Sequence, residues 1–132
     1  FVQAYKMVNI DTAYMAARKA MESTYKGNLT VTEHRKVRNE QTKLTGTADV
    51  IVLENQPCRL SFESVAPVQQ SETAAAVSQT VKLFVSPDVV ISPGSKLTVT
   101  QNGVTTDYTR SGIAAVYPSH QEIMLDLFER WT

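Results

Sequence analysis

Few side chains in this sequence are equipped to make or break bonds: one cysteine (Cys58), two histidines (His34 and His120), and scattered hydroxyls and carboxylates. A thiol or hydroxyl beside a histidine and a carboxylate is the arrangement for nucleophilic catalysis. The local sequence argues against it. Cys58 follows Pro57 in a stretch where Cys58, Leu60 and Phe62 alternate with Arg59, Ser61 and Glu63, and a free thiol there behaves as a small hydrophobe. No helix start or basic pair lies nearby to lower its pKa. A hydrolase would need Cys58 or a serine to stand beside His120.

The other candidates also point away from chemistry. His120, next to Gln121 and Glu122, reads as a surface or interface histidine, and His34 in the charged stretch EHRKVR reads as solvated. Neither has a second ligand at a metal-binding spacing. Ser92-Pro93-Gly94-Ser95-Lys96 lacks the full pattern of a phosphate-binding loop and has no βα unit around it. One cysteine rules out an internal disulfide framework and a cysteine-clustered zinc site. The expectation is a chain with no catalytic residue, no cofactor and no metal.

Composition agrees. The 132 residues suffice for one domain, taken as 1–132 with a helical segment over 1–28 and a β domain over 29–132. Thirteen Lys+Arg balance thirteen Asp+Glu, which disfavours a nucleic-acid binder held by bulk positive charge. No apolar stretch approaches the roughly 20 residues of a membrane-spanning helix, and the opening residues do not read as a signal peptide. Sixteen Val, fifteen Thr and five Ile make 36 β-branched residues, concentrated after residue 28. Such side chains fit a pleated sheet better than a helix.

Helical patterning is confined to Asp11–Tyr25. Asp11 stands at the N-cap position, and Tyr14, Ala17, Met21 and Tyr25 form one apolar stripe. Gly27-Asn28 supplies a stop. The stripe predicts packing against a sheet, with a partner-binding helix as the alternative.

Short strands follow at the spacing of a small barrel or sandwich of about six strands. Leu29–Val37 alternates imperfectly, Asn39–Thr47 is loop-like, and Val50–Glu54 is an apolar run broken by Asn55-Gln56-Pro57. A strand from Cys58 comes next, then another over Val77–Val85, where Val77, Val81, Leu83 and Val85 share a face. The clearest local signal is Asn102-Gly103 between Leu97–Gln101 and Val104–Tyr108, a hairpin with a type I′ turn. Near the end, Ile123, Leu125 and Leu127 alternate with Met124, Asp126 and Phe128. They read as the strand that closes a barrel, although Ser119 and Glu122 imitate a helix capping box.

Two features point outward. Glu63–Ala76 (ESVAPVQQSETAAA) is a long, weakly charged connection without periodicity, read as an arm that orders against a neighbouring subunit or a plain hairpin tip. Its residues Glu63, Ser64, Val65, Ala66, Pro67, Val68, Gln69, Gln70, Ser71, Glu72 and Thr73 are the candidate assembly loop. Charge is also uneven. Residues 1–66 hold nine Lys/Arg against seven Asp/Glu, and residues 67–132 four against six. The basic cluster Arg35, Lys36, Arg38 and Lys43 and the acidic cluster Glu122, Asp126 and Glu129 form a candidate electrostatic interface.

The stretches ENQPCRLSFES (Glu54–Ser64), SPGSKLTVTQNGVTTDYTRSG (Ser92–Gly112) and AVYPSHQEIMLDLF (Ala115–Phe128), with the helical opening and YKGNLTV, resemble small minor capsid proteins of tailed phages of Gram-positive bacteria. The resembling group is the head-closure, or head–tail connector, proteins of the neck. The resemblance implies a small β-barrel with a helical appendage, working in a ring, expected to be dodecameric, below the portal and its adaptor. It further implies a docking surface for the tail terminator or tail tube, only transient contact with passing DNA, no membrane, and a place in the virion neck after assembly in the host cytoplasm. A tail terminator or another neck component is the nearest alternative. From a different class, an oligonucleotide-binding barrel would show aromatics interleaved with basic residues, and Glu33–Lys43 holds no aromatic other than the imidazole of His34.

Overall fold

The computed structural model describes residues 2–65 and 78–131. Its elements are α1 (Val2–Glu22), β1 (Gly27–Arg38), β2 (Thr45–Val65), β3 (Ser78–Val85), β4 (Lys96–Gln101), β5 (Val104–Arg110), β6 (Ala115–Val116) and β7 (Gln121–Leu127). The fold is mainly β with one N-terminal helix, as the β-branched excess predicts. All strands belong to one antiparallel sheet, ordered β3-β2-β1-β4-β5-β7-β6. An additional β3–β7 pairing, Val81↔Leu125 to Val85↔Gln121, brings the two sides together. Six strands therefore close into a ring, and β6 is a two-residue addition to β7.

The ring is filled by inward-facing residues: Leu29 and Val31 of β1, Cys58 and Leu60 of β2, Leu83 and Val85 of β3, Leu97 and Val99 of β4, Tyr108 of β5, and Ile123 and Leu125 of β7. Ile91, between β3 and β4, completes the core. Alternate residues face out because side chains in a strand have a period of two. The terminal stretch is strand β7, so Ser119 and Glu122 cap no helix. The β4–β5 hairpin has the expected turn, with φ of 53° at Asn102 and 77° at Gly103.

The helix departs from expectation. It runs through Val2–Glu22, so Asp11 lies inside it and cannot be its N-cap. It ends at Ser23 and Thr24, whose hydroxyls donate to the carbonyls of Ala20 and Met21 (2.6 Å each). Hydroxyl side chains compete for the last helical carbonyls and satisfy them. Gly27 and Asn28 open β1 instead of stopping the helix. A Cβ on Gly27 would lie 3.0 Å from the Cys58 carbonyl oxygen, so this glycine permits a close approach of two strands.

The stripe does not pack on the sheet. Tyr14 and Ala17 are exposed, Met15 is 71% exposed, and within residues 11–24 only Arg18, Met21 and Glu22 are partly covered before Tyr25 enters the barrel wall. The apolar residues of the strands point into the closed ring, so the outer wall gives the stripe little to pack against.

β2 merges what the sequence presents as a loop end, an apolar run and a separate strand. Asn39–Leu44 alone forms the turn after β1, and Thr45–Thr47 already pair with Lys36–Arg38. In that turn the Asn39 side-chain oxygen accepts from the Gln41 and Thr42 amides (2.9 and 3.2 Å). Asn55, with φ of 57°, and Pro57 sit within β2 near register shifts at Leu29–Val31 and Val31–Thr32. A bulge tolerates both residues without ending the strand.

The long connection also begins later than expected. Glu63, Ser64 and Val65 continue β2, opposite Thr80, Gln79 and Ser78. Ala66, Pro67, Val68, Gln69, Gln70, Ser71, Glu72 and Thr73, the rest of the candidate loop to Ala76, and Val77 lie outside the described residues.

Candidate functional site

β1 pairs with β4 only over Asn28–Thr32. Beyond Thr32 it continues to Arg38 with β2 as its sole neighbour, and β2 meets β3 only from Cys58 onward. The β1–β2 hairpin therefore overhangs the barrel as a two-stranded ribbon, about 20 Å beyond Thr32 at roughly 3.3 Å per residue. Both ribbon faces are largely exposed, including Val37, Ile51 and Val52, and Leu44 at the tip is 71% exposed.

All four predicted basic residues lie on this ribbon. Arg35 reaches Glu33 (Nη2 to Oε1, 2.8 Å), and Lys43 lies 4.0 Å from Glu40. Among the described residues Lys36 and Arg38 form no ion pair. The acidic cluster is divided. Glu122 is held by Lys82 (3.0 Å) and His120 (2.8 Å), so it belongs to the fold rather than to an open electrostatic face. Asp126, on the outer face of β7, and Glu129 are exposed and form no ion pair among the described residues. Glu122 and Asp126 share the outer face of β7, with Met124 between them.

Around His120 the chain builds a compact network. Ser119 Oγ lies 2.9 Å from His120 Nδ1, and His120 Nε2 lies 2.8 Å from Glu122 Oε2. The imidazole stacks on Tyr117 (4.9 Å between centroids) and Phe84 (5.8 Å), while the Arg59 guanidinium lies 4.5 Å above the Phe84 ring. The hydrogen bond from His120, and next that from Lys82, lower the pKa of Glu122. A serine does stand beside His120, the feature a hydrolase would require. The rings of Tyr117 and Phe84, however, are stacked against the imidazole. The arrangement ties β6, β7 and β3 together.

Cys58 is fully buried, and desolvation pushes its pKa up to about 12. A thiol in that state is no nucleophile at neutral pH. Among the described residues no His, Cys, Asp and Glu side chains gather as a metal site.

A cluster the sequence analysis missed lies at the ribbon's root. His34 stacks on Trp131 (5.1 Å) and lies 2.8 Å from Asp49, while Lys96 Nζ sits 5.6 Å from the Trp131 ring and 5.5 Å from Phe128. Beside it is a cavity of about 170 Å³ lined by Glu33, His34, Ser92–Ser95 and Trp131. These residues come from four separate stretches, so no local spacing announces them.

Helix α1 is anchored at Arg18, which donates to Ser86 Oγ (2.7 Å) and Asp88 Oδ2 (2.6 Å) and also reaches Glu22 (3.4 Å). The carboxylate of Asp88 raises the Arg18 pKa. Beneath lies an open groove of about 680 Å³, with Val52, Leu53, Pro57, Val89 and Val90 on its walls. At the opposite end of the barrel, where the Asn102-Gly103 turn lies, a smaller apolar mouth of about 200 Å³ opens between β2 and β5. No described helix is long and apolar enough to cross a membrane.

No family model matches the chain, and no curated protein matches it. Among solved structures it is similar to the phage-like element PBSX protein xkdH from Bacillus subtilis, at a TM-score of 0.44 and 8% identity over 76% of this chain and 91% of that one.

Proposed function

We propose that this chain is a non-enzymatic virion assembly protein of the head-closure type, acting as copies of itself in a ring in the neck of a tailed phage. The sequence resemblance supplies the place: the portal adaptor above, the tail terminator or tail tube below, and DNA passing transiently through. A dodecamer is the stoichiometry that resemblance implies.

One observation carries the reading. The closed barrel satisfies itself, yet the chain also extends a two-stranded ribbon with both faces largely exposed and a helix whose residues 11–22 are mostly exposed. Elements with exposed apolar side chains and few internal contacts are suited to covering a neighbour. A closed ring needs two different complementary surfaces per subunit, and the ribbon and the helix are two such elements beyond the barrel core. A stable contact typically buries about 800 Å² per partner, more readily supplied by projections than by a small round core.

The experiment is co-sedimentation of the purified chain with portal-bearing heads, followed by electron microscopy of the neck. Bound rings at the portal vertex are the expected result. A chain that stays in the supernatant at every head concentration overturns the reading.

The cluster of Lys96, Phe128, Trp131 and His34 favours a second reading, a barrel that binds single-stranded nucleic acid through aromatic and cationic side chains. Trp131 is the single tryptophan, so its fluorescence reports directly. Saturable quenching by an oligonucleotide at physiological salt would establish that reading. Unchanged emission removes it.

A further inference from the structure

We infer that the ribbon tip of one copy docks into the barrel mouth of the next, with Leu44 as the inserted side chain. The inference rests on the self-assembly reading above and names the contact.

The mouth is the open end of the apolar core. Leu60 and Phe62 of β2 face Val104, Thr106 and Tyr108 of β5 across it. Leu60 and Tyr108 are buried at its floor, whereas Phe62 is 51% and Val104 64% exposed at its lip. A volume of about 200 Å³ suits a branched aliphatic side chain, since an apolar cavity of about 150 Å³ accepts benzene. The ribbon tip offers such a group. Leu44 is 71% exposed, and Val37 lies close by, lining the same shallow surface hollow.

Position forbids insertion within one chain. β1 starts at Gly27, beside the mouth, and reaches Arg38 at the tip about 35 Å away at roughly 3.3 Å per residue. Knob and hole lie at opposite ends of one subunit, so the contact is heterologous, the kind that repeats round a ring.

Charge favours the same pairing. The tip carries Lys36, Arg38 and Lys43 against the single acid Glu40. On the outer wall beside the mouth, Glu63 and Asp107 point outward from β2 and β5, the strands whose inner residues line it; Asp107 accepts from the Thr98 hydroxyl (2.7 Å). Among the described residues neither acid forms an ion pair. A net-basic knob approaching an apolar mouth flanked by these acids gains orientation from charge and affinity from burial.

Paired substitution tests this in the full chain. Leu44→Cys with Val104→Cys in one chain cannot bridge internally, because a disulfide needs Cα atoms within about 7 Å. Buried Cys58 does not compete. Mild oxidation of the concentrated protein should then give a ladder of covalent dimers, trimers and higher species on a non-reducing gel, while either single variant stops at dimers. Leu44→Asp, on an exposed turn that leaves folding intact, should weaken self-association about tenfold or more. Absence of the ladder, or Leu44→Asp rings as stable as the parent's, overturns the contact. The two readings fail separately. Protein that binds heads but gives no ladder refutes only this contact, and protein that ladders but never binds heads refutes only the neck assignment.

Discussion

The side-chain amide of Gln101 bonds the backbone of Leu60 twice: its Oε1 accepts from the Leu60 amide at 2.8 Å, and its Nε2 donates to the Leu60 carbonyl at 3.3 Å. β1 begins at Gly27, opposite Cys58, so Leu60 has passed the end of that ladder and keeps only β3 on its other side. Gln101 takes the place of the missing strand. The wall is thereby sealed where β1 gives way to the β4–β5 hairpin.

Gln101→Leu should remove that substitute ladder and leave a partly buried amide and carbonyl unpaired, at a cost of about 1–3 kcal/mol. Thermal and urea denaturation should show a melting point lower by several degrees. An unchanged midpoint would show that solvent satisfies Leu60 equally well.

Gly103→Val separates backbone strain from crowding. Nothing lies within 4 Å of a Cβ at this position, but φ is +77°. The cost of about 1–3 kcal/mol therefore arises from the left-handed backbone alone. Gly103→Asn, which tolerates that region, should recover most of it. Equal stability of both variants and the parent refutes the type I′ turn.

The Glu122 network sets an acid limit. His120 and Lys82 hold the Glu122 carboxyl below its ordinary value of 4.5. The unfolded chain therefore takes up this proton first as pH falls. The stability the network lends is whole above about 4.5 and is lost as pH drops through the lower folded value. Glu122→Gln should flatten the fall of the urea midpoint between neutral pH and pH 3. A parallel pH profile in the variant would count against the network.

Cys58, with its pKa pushed up to about 12 and no exposure, should resist a thiol reagent in the native state at neutral pH. Labelling should track unfolding as urea is raised. Rapid labelling of folded protein would mean the barrel wall opens locally at β2.

Val65 and Ser78 face each other across the β2–β3 ladder, so a two-residue Asn-Gly turn can join them in place of residues 66–77. The shortened chain should fold with the parent's melting point and fail to join heads to tails. Normal virion yield from that variant would remove the assembly role assigned to the connection.

What was legible in the sequence was whatever a local rule decides. Asn102-Gly103 determines its own backbone, and β7 alternates because one of its faces is buried. The ribbon is illegible for the opposite reason: alternation marks a strand only where one face meets a core, and residues 33–38 and 45–52 largely overhang it. The first half of the helix leaves no mark in the sequence: Asp11 looks like a cap, and Val2–Ile10 carries no start signal of its own. The His120 network was half visible, since Ser119, His120 and Glu122 are near neighbours. Phe84 and Lys82 join them only through the β3–β7 closure.

Closure of the six strands also separates two kinds of selection. Residues inside the ring answer to folding, and a change there is paid for by every copy of the chain. Those on the ribbon and the outward helix answer only to whatever they touch. Lineages with different neighbours can rewrite those projections freely while the inner wall stays as it is, so kinship in such a protein should persist longest among its hidden residues and fade first at its extremities.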